Sequence, residues 1–143
     1  MATLRETTTC RSAPLCGRER RELQRQDLAS ARTSHLRFTR CSFTGADLRH
    51  ATLDGCSFTL CDFSGADLRG ASLRGACLAG CDLRAADLRD TDLTDATLGS
   101  VNTGMPPLGL TDVTGARFEG ASLRNVQAAG ITGRPSGGGG NDW

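Results

Sequence analysis

The sequence contains no lysine, and it has no long hydrophobic run. Arginine therefore supplies all 17 basic charges, which nearly balance 16 acidic residues and leave a net charge of +1. A protein without a strong overall charge does not attract nucleic acid or an anionic membrane through its long-range field. No apolar stretch approaches the roughly 18 to 20 residues that a transmembrane helix needs, which argues against a membrane-spanning helix.

The first ten residues, MATLRETTTC, also lack the apolar segment of a signal peptide. We therefore expect a soluble, cytoplasmic protein. The seven cysteines would suggest disulfides in a small secreted chain, but in a reducing compartment we expect free thiols. The 143 residues are enough for a single domain.

The patterns of an active site are missing as well, since no nucleophile stands with a base and no metal-ligand set is visible. The two histidines, His35 and His50, have no Ser or Cys motif around them, and we expect both on the surface. Cys10 and Cys16 precede His35, but their spacing matches no usual zinc pair. We expect no catalysis, no cofactor and no metal.

What the sequence does contain is a repeat of five residues. Leu or Phe occupies every fifth position over a long stretch, although these two residue types together make up only 23 of 143 residues. Such a run cannot arise by chance, and we expect all of these side chains in the core. The positions are Phe38, Phe43, Leu48, Leu53, Phe58, Phe63, Leu68, Leu73, Leu78, Leu83, Leu88, Leu93 and Leu98.

Each repeat unit combines one large and one small inward residue with a turn. A small residue such as Ala46 precedes each centre by two positions, and Gly often follows by two, as at Gly45 and Gly65. A period of five fits neither a helix nor an alternating strand, so the chain turns after each unit. The segments CSFTGADLRH, CDFSGADLRG and CDLRAADLRD recur every twenty residues, which predicts a four-sided coil.

These units resemble the pentapeptide-repeat family, whose motif is a small residue, Asp or Asn, Leu or Phe, a variable residue and often Gly. GADLR at 45–49 and 65–69 and AADLR at 85–89 match it closely. The resemblance implies an all-β fold, a right-handed quadrilateral β-helix of about four to five coils, over residues 36–125.

Stacking the coils would place equivalent residues in columns about 4.8 Å apart. Cys41, Cys61 and Cys81 would share an inner column, where buried thiols act as small apolar groups. Three stacked sulfurs could instead recruit a soft metal, but other columns carry Ala at this position and no ligand geometry is implied.

Outward positions form rows of opposite charge, which we regard as the possible partner contacts of the repeats. Their members are Asp47, Arg49, Asp67, Arg69, Asp87 and Arg89. One interpretation is a solvated face that neutralises itself. The other is an arginine ladder that grips carboxylates or phosphates, although the neighbouring Asp row weakens its net field and disfavours nucleic-acid binding.

Some pentapeptide-repeat proteins protect type II topoisomerases by imitating the shape and negative charge of DNA. That imitation requires an acidic surface and, in well-known cases, a C-terminal helix that pairs two solenoids. Residues 36–125 carry eleven acidic residues and nine Arg, so the repeats are close to neutral. Neither feature of the protective relatives is plain in this sequence.

The five-residue grid weakens after Leu98 without gaining or losing a residue. Proline removes a backbone donor and so breaks the pairing between coils. We expect residues 99–110 to form either a distorted coil or a loop that leaves and rejoins the solenoid. An exposed apolar loop would suit partner docking, and its candidate contacts are Met105, Pro106, Pro107 and Leu108.

The two ends of the chain differ from the repeats. Residues 1–35 are expected to form an arm and cap, in which 18–32 could be a short amphipathic helix covering the first coil. An Arg-rich nucleic-acid arm is the alternative, which Glu19, Glu22 and Asp27 weaken. Residues 126–143 are expected to form a flexible Gly-rich tail.

Two functions remain open at this point. The first is a non-enzymatic scaffold that binds a protein partner, as a monomer or an end-to-end dimer joined after Phe118. The second is protection or inhibition of a type II topoisomerase such as DNA gyrase, giving a bacterium antibiotic resistance. The near-neutral surface favours the first, while the family resemblance and the interruption near Pro106 keep the second open.

Overall fold

The computed structural model describes residues 29–30, 32, 34–101, 104 and 109–136. Most of the predicted arm and cap, and all of 105–108 and 137–143, lie outside the described residues. Regular structure in the described part consists of short β-strands and isolated β-bridges, without a helix. Accordingly, no helix capable of crossing a membrane is found there.

Six short strands pair in parallel. Neighbouring strands are offset by twenty residues, as in the pair Phe38 and Phe58 and the pair Phe58 and Leu78. The first four strands form one sheet in the order β1-β2-β3-β4, and β5 pairs with β6 in a second sheet. The strands are β1 (Arg37–Thr39), β2 (Ser57–Thr59), β3 (Cys77–Ala79), β4 (Thr97–Gly99), β5 (Thr111–Asp112) and β6 (Ile131–Thr132).

Isolated bridges with the same offset complete the other sides of each coil, as between Asp47 and Asp67. We call the four sides faces A to D in chain order and define them by their central inward positions. Face A contains residues 38, 58, 78, 98 and 128. Face B contains residues 43, 63, 83, 113 and 133. Face C contains residues 48, 68, 88 and 118, and face D contains residues 53, 73, 93 and 123. The predicted four-sided β-helix is confirmed.

The corners between faces require a left-handed backbone. The corner residue follows the central position by two, and its φ is positive in most coils, for example 66° at Gly65 and 55° at Leu60. Glycine adopts this conformation without strain, whereas other residues rarely do. At several corners a larger side chain lies over a glycine of the next coil. A Cβ on Gly70 would lie 2.5 Å from His50 Nδ1.

The interior is filled by the repeated large residues. Their side chains stack in columns. The distance between ring centres is 5.0 Å for Phe38 and Phe58, and it is 4.7 Å for Phe43 and Phe63. Burying one such side chain contributes about 1.5 to 3 kcal/mol. None of the thirteen Leu and Phe residues of the repeat, from Phe38 to Leu98, is more than 1% exposed.

The cysteine column is confirmed only in part. Cys61 and Cys81 are buried free thiols, but the free thiol predicted for Cys41 is wrong, because Cys41 is in a disulfide bond. The other cysteines of the described part are all free, so the partner sulfur lies outside the described residues. Cys41 belongs to the first coil of this column, where no described residue of an earlier coil covers it.

The largest change in the twenty-residue offset comes after face A of the fourth coil; at the C-terminal side the bridge between Arg117 and Ser136 has an offset of nineteen. Asp82 pairs with Asp112, and Asp87 pairs with Arg117, so the offset there is thirty residues. The pairing register therefore skips ten residues between Ser100 and Thr111, at the corner between faces A and B; we call residues 101–110 the insertion. Because ten is two repeat units, the five-residue grid continues through this insertion without a shift.

Pairing extends past both predicted ends of the solenoid. A bridge joins Arg32 to Thr52 on the N-terminal side. On the C-terminal side, two paired elements lie beyond residue 125. They are β6, which pairs with β5, and Ser136, which forms a bridge with Arg117. Part of the segment expected to be a tail is therefore a layer of the solenoid.

Candidate interaction surfaces

Face C carries a ladder of hydrogen-bonded ion pairs, which we call the Asp–Arg ladder: Asp47, Arg49, Asp67, Arg69, Asp87 and Arg89. Residues two apart point to the same side of an extended segment, so each Arg can bind the Asp of its own unit. Arg69 Nε donates to Asp67 Oδ1 at 2.9 Å, and Arg69 Nη2 donates to Asp67 Oδ2 at 2.7 Å. Arg49 and Arg89 bind their Asp partners in the same two-point manner. Such pairing uses the geometry in which arginine binds a carboxylate most strongly.

The Asp–Arg ladder also connects successive coils. Arg49 Nε lies 3.9 Å from Asp67 Oδ2, and Arg69 Nε lies 3.9 Å from Asp87 Oδ2. The hydrogen bonds from arginine lower the pKa values of Asp47, Asp67 and Asp87, and the same bonds raise the pKa values of Arg69 and Arg89. Both members of each pair therefore stay charged at neutral pH, and face C presents little net charge.

The Asp–Arg order is reversed in the coil after the insertion. Arg117 occupies the position of the Asp, and Glu119 occupies the position of the Arg. Arg117 Nη2 lies 3.5 Å from Glu119 Oε1, while Glu119 Oε2 is buried without a hydrogen-bond partner. Arg117 faces Asp87 across the register, and its charge helps to lower the pKa of that carboxyl after the larger effect of Arg89.

At several positions of faces B and D, hydroxyl groups stand where face C has arginine, although face D also carries Arg74, whose Nε lies 3.9 Å from Asp92 Oδ2, and Arg124. Ser64 Oγ donates to Asp62 Oδ1 at 2.6 Å, and Thr94 Oγ1 donates to Asp92 Oδ1 at 2.6 Å. On face B, Arg84 is the exception: it binds Asp82 and also lies 3.9 Å from Asp112 Oδ2. Our sequence reasoning missed this, although the same spacing of two residues indicates it.

Face A is flat and uncharged from β2 onward. The outward residues of β2, β3 and β4 are small: Ser57, Thr59, Cys77, Ala79, Thr97 and Gly99. Their side chains are only partly exposed. Face A therefore differs from the other three faces, which all carry carboxylates.

The insertion leaves the coil from a closed base. Val101 N donates to Gly109 O at 2.7 Å, which brings the two ends of the insertion together. The hydroxyl of Thr111 is fully buried and donates to Gly99 O at 2.8 Å and Leu78 O at 3.0 Å. It also accepts a hydrogen bond from Cys81 N at 3.2 Å. Thr111 thus ties the base of the insertion to two neighbouring coils.

An open groove of about 650 Å³ runs beside this base. Leu60, Gly80 and Leu110 form its apolar part, while Arg40 and Arg84 stand at its polar part. The predicted partner contacts Met105, Pro106, Pro107 and Leu108 lie outside the described residues. The structure therefore brings together the Asp–Arg ladder on face C and places the base of the insertion at the corner between faces A and B.

The described residues contain no group of three or more His, Cys, Asp or Glu side chains that could hold a metal ion. Cys10 and Cys16, whose spacing matches no usual zinc pair, fall outside the described residues. The hydrogen bond with Cys61 and burial raise the pKa of the Cys81 thiol, and burial raises the pKa of Cys56. Both effects keep these two thiols protonated, whereas metal binding requires the thiolate. The pKa of Cys61 is lowered, because the hydrogen bonds to this thiol outweigh the opposing effect of burial.

The repeat spacing, the four-sided coil and the small inner columns all agree with a sequence profile described as a pentapeptide repeat region. It matches residues 27–106, which is more than half of the chain. The chain belongs to the pentapeptide repeat family. Proteins of this family are generally structural or interaction proteins.

Solved structures of the family resemble this solenoid. One is a pentapeptide repeat protein of the Arabidopsis thaliana thylakoid lumen, which is 27% identical to this chain and superposes with a TM-score of 0.69. The alignment covers 80% of this chain and 73% of the Arabidopsis protein. HetL, involved in heterocyst differentiation regulation in the cyanobacterium Nostoc, is 26% identical with a TM-score of 0.42, covering 76% of this chain and 54% of its own.

QnrB1, a plasmid-mediated fluoroquinolone resistance protein, is 20% identical with a TM-score of 0.32, covering 77% of this chain and 66% of its own. At this level of similarity it supplies no argument about what the present chain does. A search of curated proteins finds no match.

Proposed function

We propose that this protein is a non-enzymatic scaffold that binds a protein partner through the insertion between Ser100 and Thr111. The observation that carries the proposal is the anchored base of the insertion. Val101, Gly109 and Thr111 fasten it to a rigid stack of coils. Loops held in this way on a rigid framework are common binding elements.

The rest of the surface supports this choice. The Asp–Arg ladder satisfies its own carboxylates and guanidinium groups, so little free charge remains on face C for a partner to use. The groove beside the insertion adds apolar surface from Leu60 and Leu110. A partner that contacts the insertion would also reach this groove.

Affinity capture from the native host tests the proposal. We expect the full chain to return a partner that is lost when Met105 to Leu108 are replaced by Gly and Ser. The control carries His50→Ser and Asp90→Ser at the corner between faces C and D, diagonally opposite the insertion, and should retain the partner. Capture that is unchanged by the insertion variant would exclude the insertion as the binding element, provided both variants melt at the same temperature as the parent.

A second candidate is topoisomerase protection by imitation of DNA. The carboxylates of Asp62, Asp92 and Asp112, which accept hydrogen bonds from hydroxyl groups, are the feature that favours it. Asp92 and Asp112 each also lie 3.9 Å from an arginine, Arg74 and Arg84. A supercoiling assay with purified DNA gyrase and a quinolone tests this candidate. If micromolar protein neither rescues nor inhibits supercoiling, this function is ruled out.

We also propose a cytoplasmic location. The free, buried thiols of Cys56, Cys61 and Cys81 support it, because a reducing compartment preserves them. The disulfide at Cys41 is the observation that speaks against it. Fractionation of the host, with alkylation of free thiols before lysis, tests both points: cytoplasmic protein should show Cys41 reduced, and protein found only outside the cytoplasm would contradict the proposal.

A further inference from the structure

The groove beside the insertion base contains an apolar side chain that the fold does not require. Leu60 lines the groove and is partly exposed. Its φ is 55°, a left-handed conformation that suits glycine and short polar residues. Among the described non-glycine residues with positive φ, Leu60 alone has a large apolar side chain. An exposed apolar residue held in a strained backbone points to a binding contact.

The apolar part of the groove has room for a side chain from another molecule. Leu110, also partly exposed, lines the groove with Leu60, and so does Gly80. A Cβ on Gly80 would lie 2.9 Å from Leu60 Cδ2 and 3.1 Å from Gly109 O, so a larger residue there would narrow the groove. Its volume of about 650 Å³ is in the range of pockets that enclose a ligand.

The carboxylates of the groove already have partners. Arg84 Nε donates to Asp82 Oδ1 at 2.9 Å and lies 3.9 Å from Asp112 Oδ2. Asp112 Oδ1 also accepts a hydrogen bond from Thr114 Oγ1 at 2.6 Å. These groups therefore leave little charge for a ligand to bind.

The arginines of the first coil differ from Arg84 in this respect. Arg40 lines the groove, and Arg37 lies three residues before it on β1. Both are exposed, and neither belongs to an ion pair among the described residues. The open charge at this end of the groove is positive, so it is complementary to a carboxylate.

The coil spacing sets the distance between the charged and the apolar part. Arg40, Leu60 and Gly80 occupy the same corner in successive coils, which are about 4.8 Å apart. Arg40 and Gly80 are therefore separated by about 10 Å along the solenoid. An extended chain advances about 3.3 Å per residue, so three residues of such a chain cover this distance.

We propose that the groove binds an extended segment of a partner protein in which a large apolar residue and an Asp or Glu stand about three residues apart. The apolar side chain packs on Leu60 and Leu110 over Gly80, and the carboxylate binds Arg40. The inference rests on the proposed function, because it names the chemistry of the segment that the scaffold binds. A basic segment is disfavoured, since it would bring a like charge to Arg40.

Selection from a library of random peptides displayed on phage tests the charge. With the full chain immobilised, the enriched peptides should share a large apolar residue and an acidic residue at the expected spacing. Arg40→Glu should instead select Lys or Arg at the acidic position. Arg124→Glu, the same change on the exposed surface of face D, is the matched control and should select the same peptides as the parent. An acidic preference that persists in Arg40→Glu overturns the proposal.

Titration of one enriched peptide supplies the second measurement. Its dissociation constant should rise about tenfold in Arg40→Glu, and replacing the acidic residue of the peptide by Lys should recover most of this loss. Leu60→Ser should also weaken binding about tenfold while the acidic preference remains. Serine is suited to this backbone, since Ser30 has a φ of 60°. Amide chemical shifts that change on faces C and D, and not at Leu60, Gly80 and Leu110, contradict the proposed site.

Other occupants of the groove give different results, and each overturns the proposal. If a segment of this chain fills the groove, no peptide is enriched over the Arg40→Glu, Leu60→Ser double variant. If a second copy fills it, the free chain forms a concentration-dependent dimer that Leu60→Ser dissociates.

Failure of this inference is distinguishable from failure of the proposed function. A partner that is lost when Met105 to Leu108 are replaced, together with peptides that ignore Arg40→Glu, leaves the scaffold in place and excludes the groove. Unchanged capture together with the charge reversal excludes the insertion and leaves the groove as the peptide site.

Discussion

The coils before the insertion and the coil after it share the same five-residue grid but not the same burial. On face D, Leu73 is 1% exposed, whereas Leu123 is only partly buried. On face C, the Asp–Arg ladder is regular up to Arg89, whereas Arg117 and Glu119 reverse the order. The repeat spacing thus determines where a side chain points, while neighbouring coils on both sides determine how deeply it is buried.

The largest expected effect contrasts these two regions with one substitution. Leu73→Asp would place an unpaired charge in the core and should lower the free energy of unfolding by about 4 kcal/mol or leave the chain unfolded. Leu123→Asp, at the same position of face D, should cost about 1 kcal/mol because the carboxylate can reach water. Urea unfolding followed by circular dichroism, on dilute protein, measures both. Equal losses would show that the two regions do not differ in burial.

The corner next to the insertion should tolerate less than a corner within the regular coils. Gly75→Ala adds a Cβ with no atom within 4 Å, so only the backbone strain of a positive φ, 63°, opposes the substitution. We expect this strain to lower the free energy of unfolding by about 1 kcal/mol. A Cβ on Gly80 would lie 2.9 Å from Leu60 Cδ2 and 3.1 Å from Gly109 O. We expect Gly80→Ala to cost roughly twice as much. Thermal unfolding compares them, and a smaller loss for Gly80→Ala would contradict the close packing at the insertion base.

The two fully buried threonines, Thr111 at the base of the insertion and Thr91 within the regular coils, allow the insertion to be tested apart from the coils. Thr111→Val removes the hydroxyl that binds Gly99 O and Leu78 O, and Thr91→Val removes the hydroxyl that donates to Leu68 O at 2.8 Å. Each should cost about 1 to 2 kcal/mol, because buried backbone groups lose a partner. Limited proteolysis should become faster within the insertion for Thr111→Val alone. Equal cleavage in both variants would mean that Thr111 does not hold the insertion base.

The smallest expected effect concerns pH and the Asp–Arg ladder. Because the pKa of Asp67 is lower in the folded than in the unfolded state, its contribution to stability is present above the unfolded pKa. It is lost as pH falls through the folded pKa. Arg69→Gln removes the main cause, so the carboxyl of Asp67 should titrate at a higher pH. Carbon-detected NMR titration of Asp67 measures this, with Arg124→Gln as the control; an unchanged pKa in Arg69→Gln would contradict the two-point pairing.

The regular part of the fold follows almost completely from the sequence. Buried positions and corners recur every five residues, and strand pairing recurs every twenty, so the sequence repeat predicts all three. The thirteen Leu and Phe positions and the corner at Gly65 follow from spacing alone. The pairing of Asp82 with Asp112 could not be predicted, since an insertion of two whole units leaves the grid unchanged. The disulfide at Cys41 was missed because the column pattern describes packing and not what lies beyond the first coil.

The candidate surfaces were predictable to a lesser degree. The opposite charges of Asp67 and Arg69 were evident, but their two-point geometry depends on the angle between neighbouring side chains. The anchoring role of Thr111 was not evident, because on the grid it occupies an ordinary small-residue position. Only its position opposite Gly99 and Leu78 shows what its hydroxyl binds.

The register across the insertion is the central claim, since the interaction scaffold and the contrast between the two regions both depend on it. Nuclear Overhauser contacts in the full chain test it most directly. We predict contacts between the amide of Asp112 and the backbone of Cys81, which accepts its hydrogen bond at 2.9 Å. Contacts that place residue 102, twenty positions after Asp82, in that position instead would show that the chain continues as a distorted coil and would contradict the account.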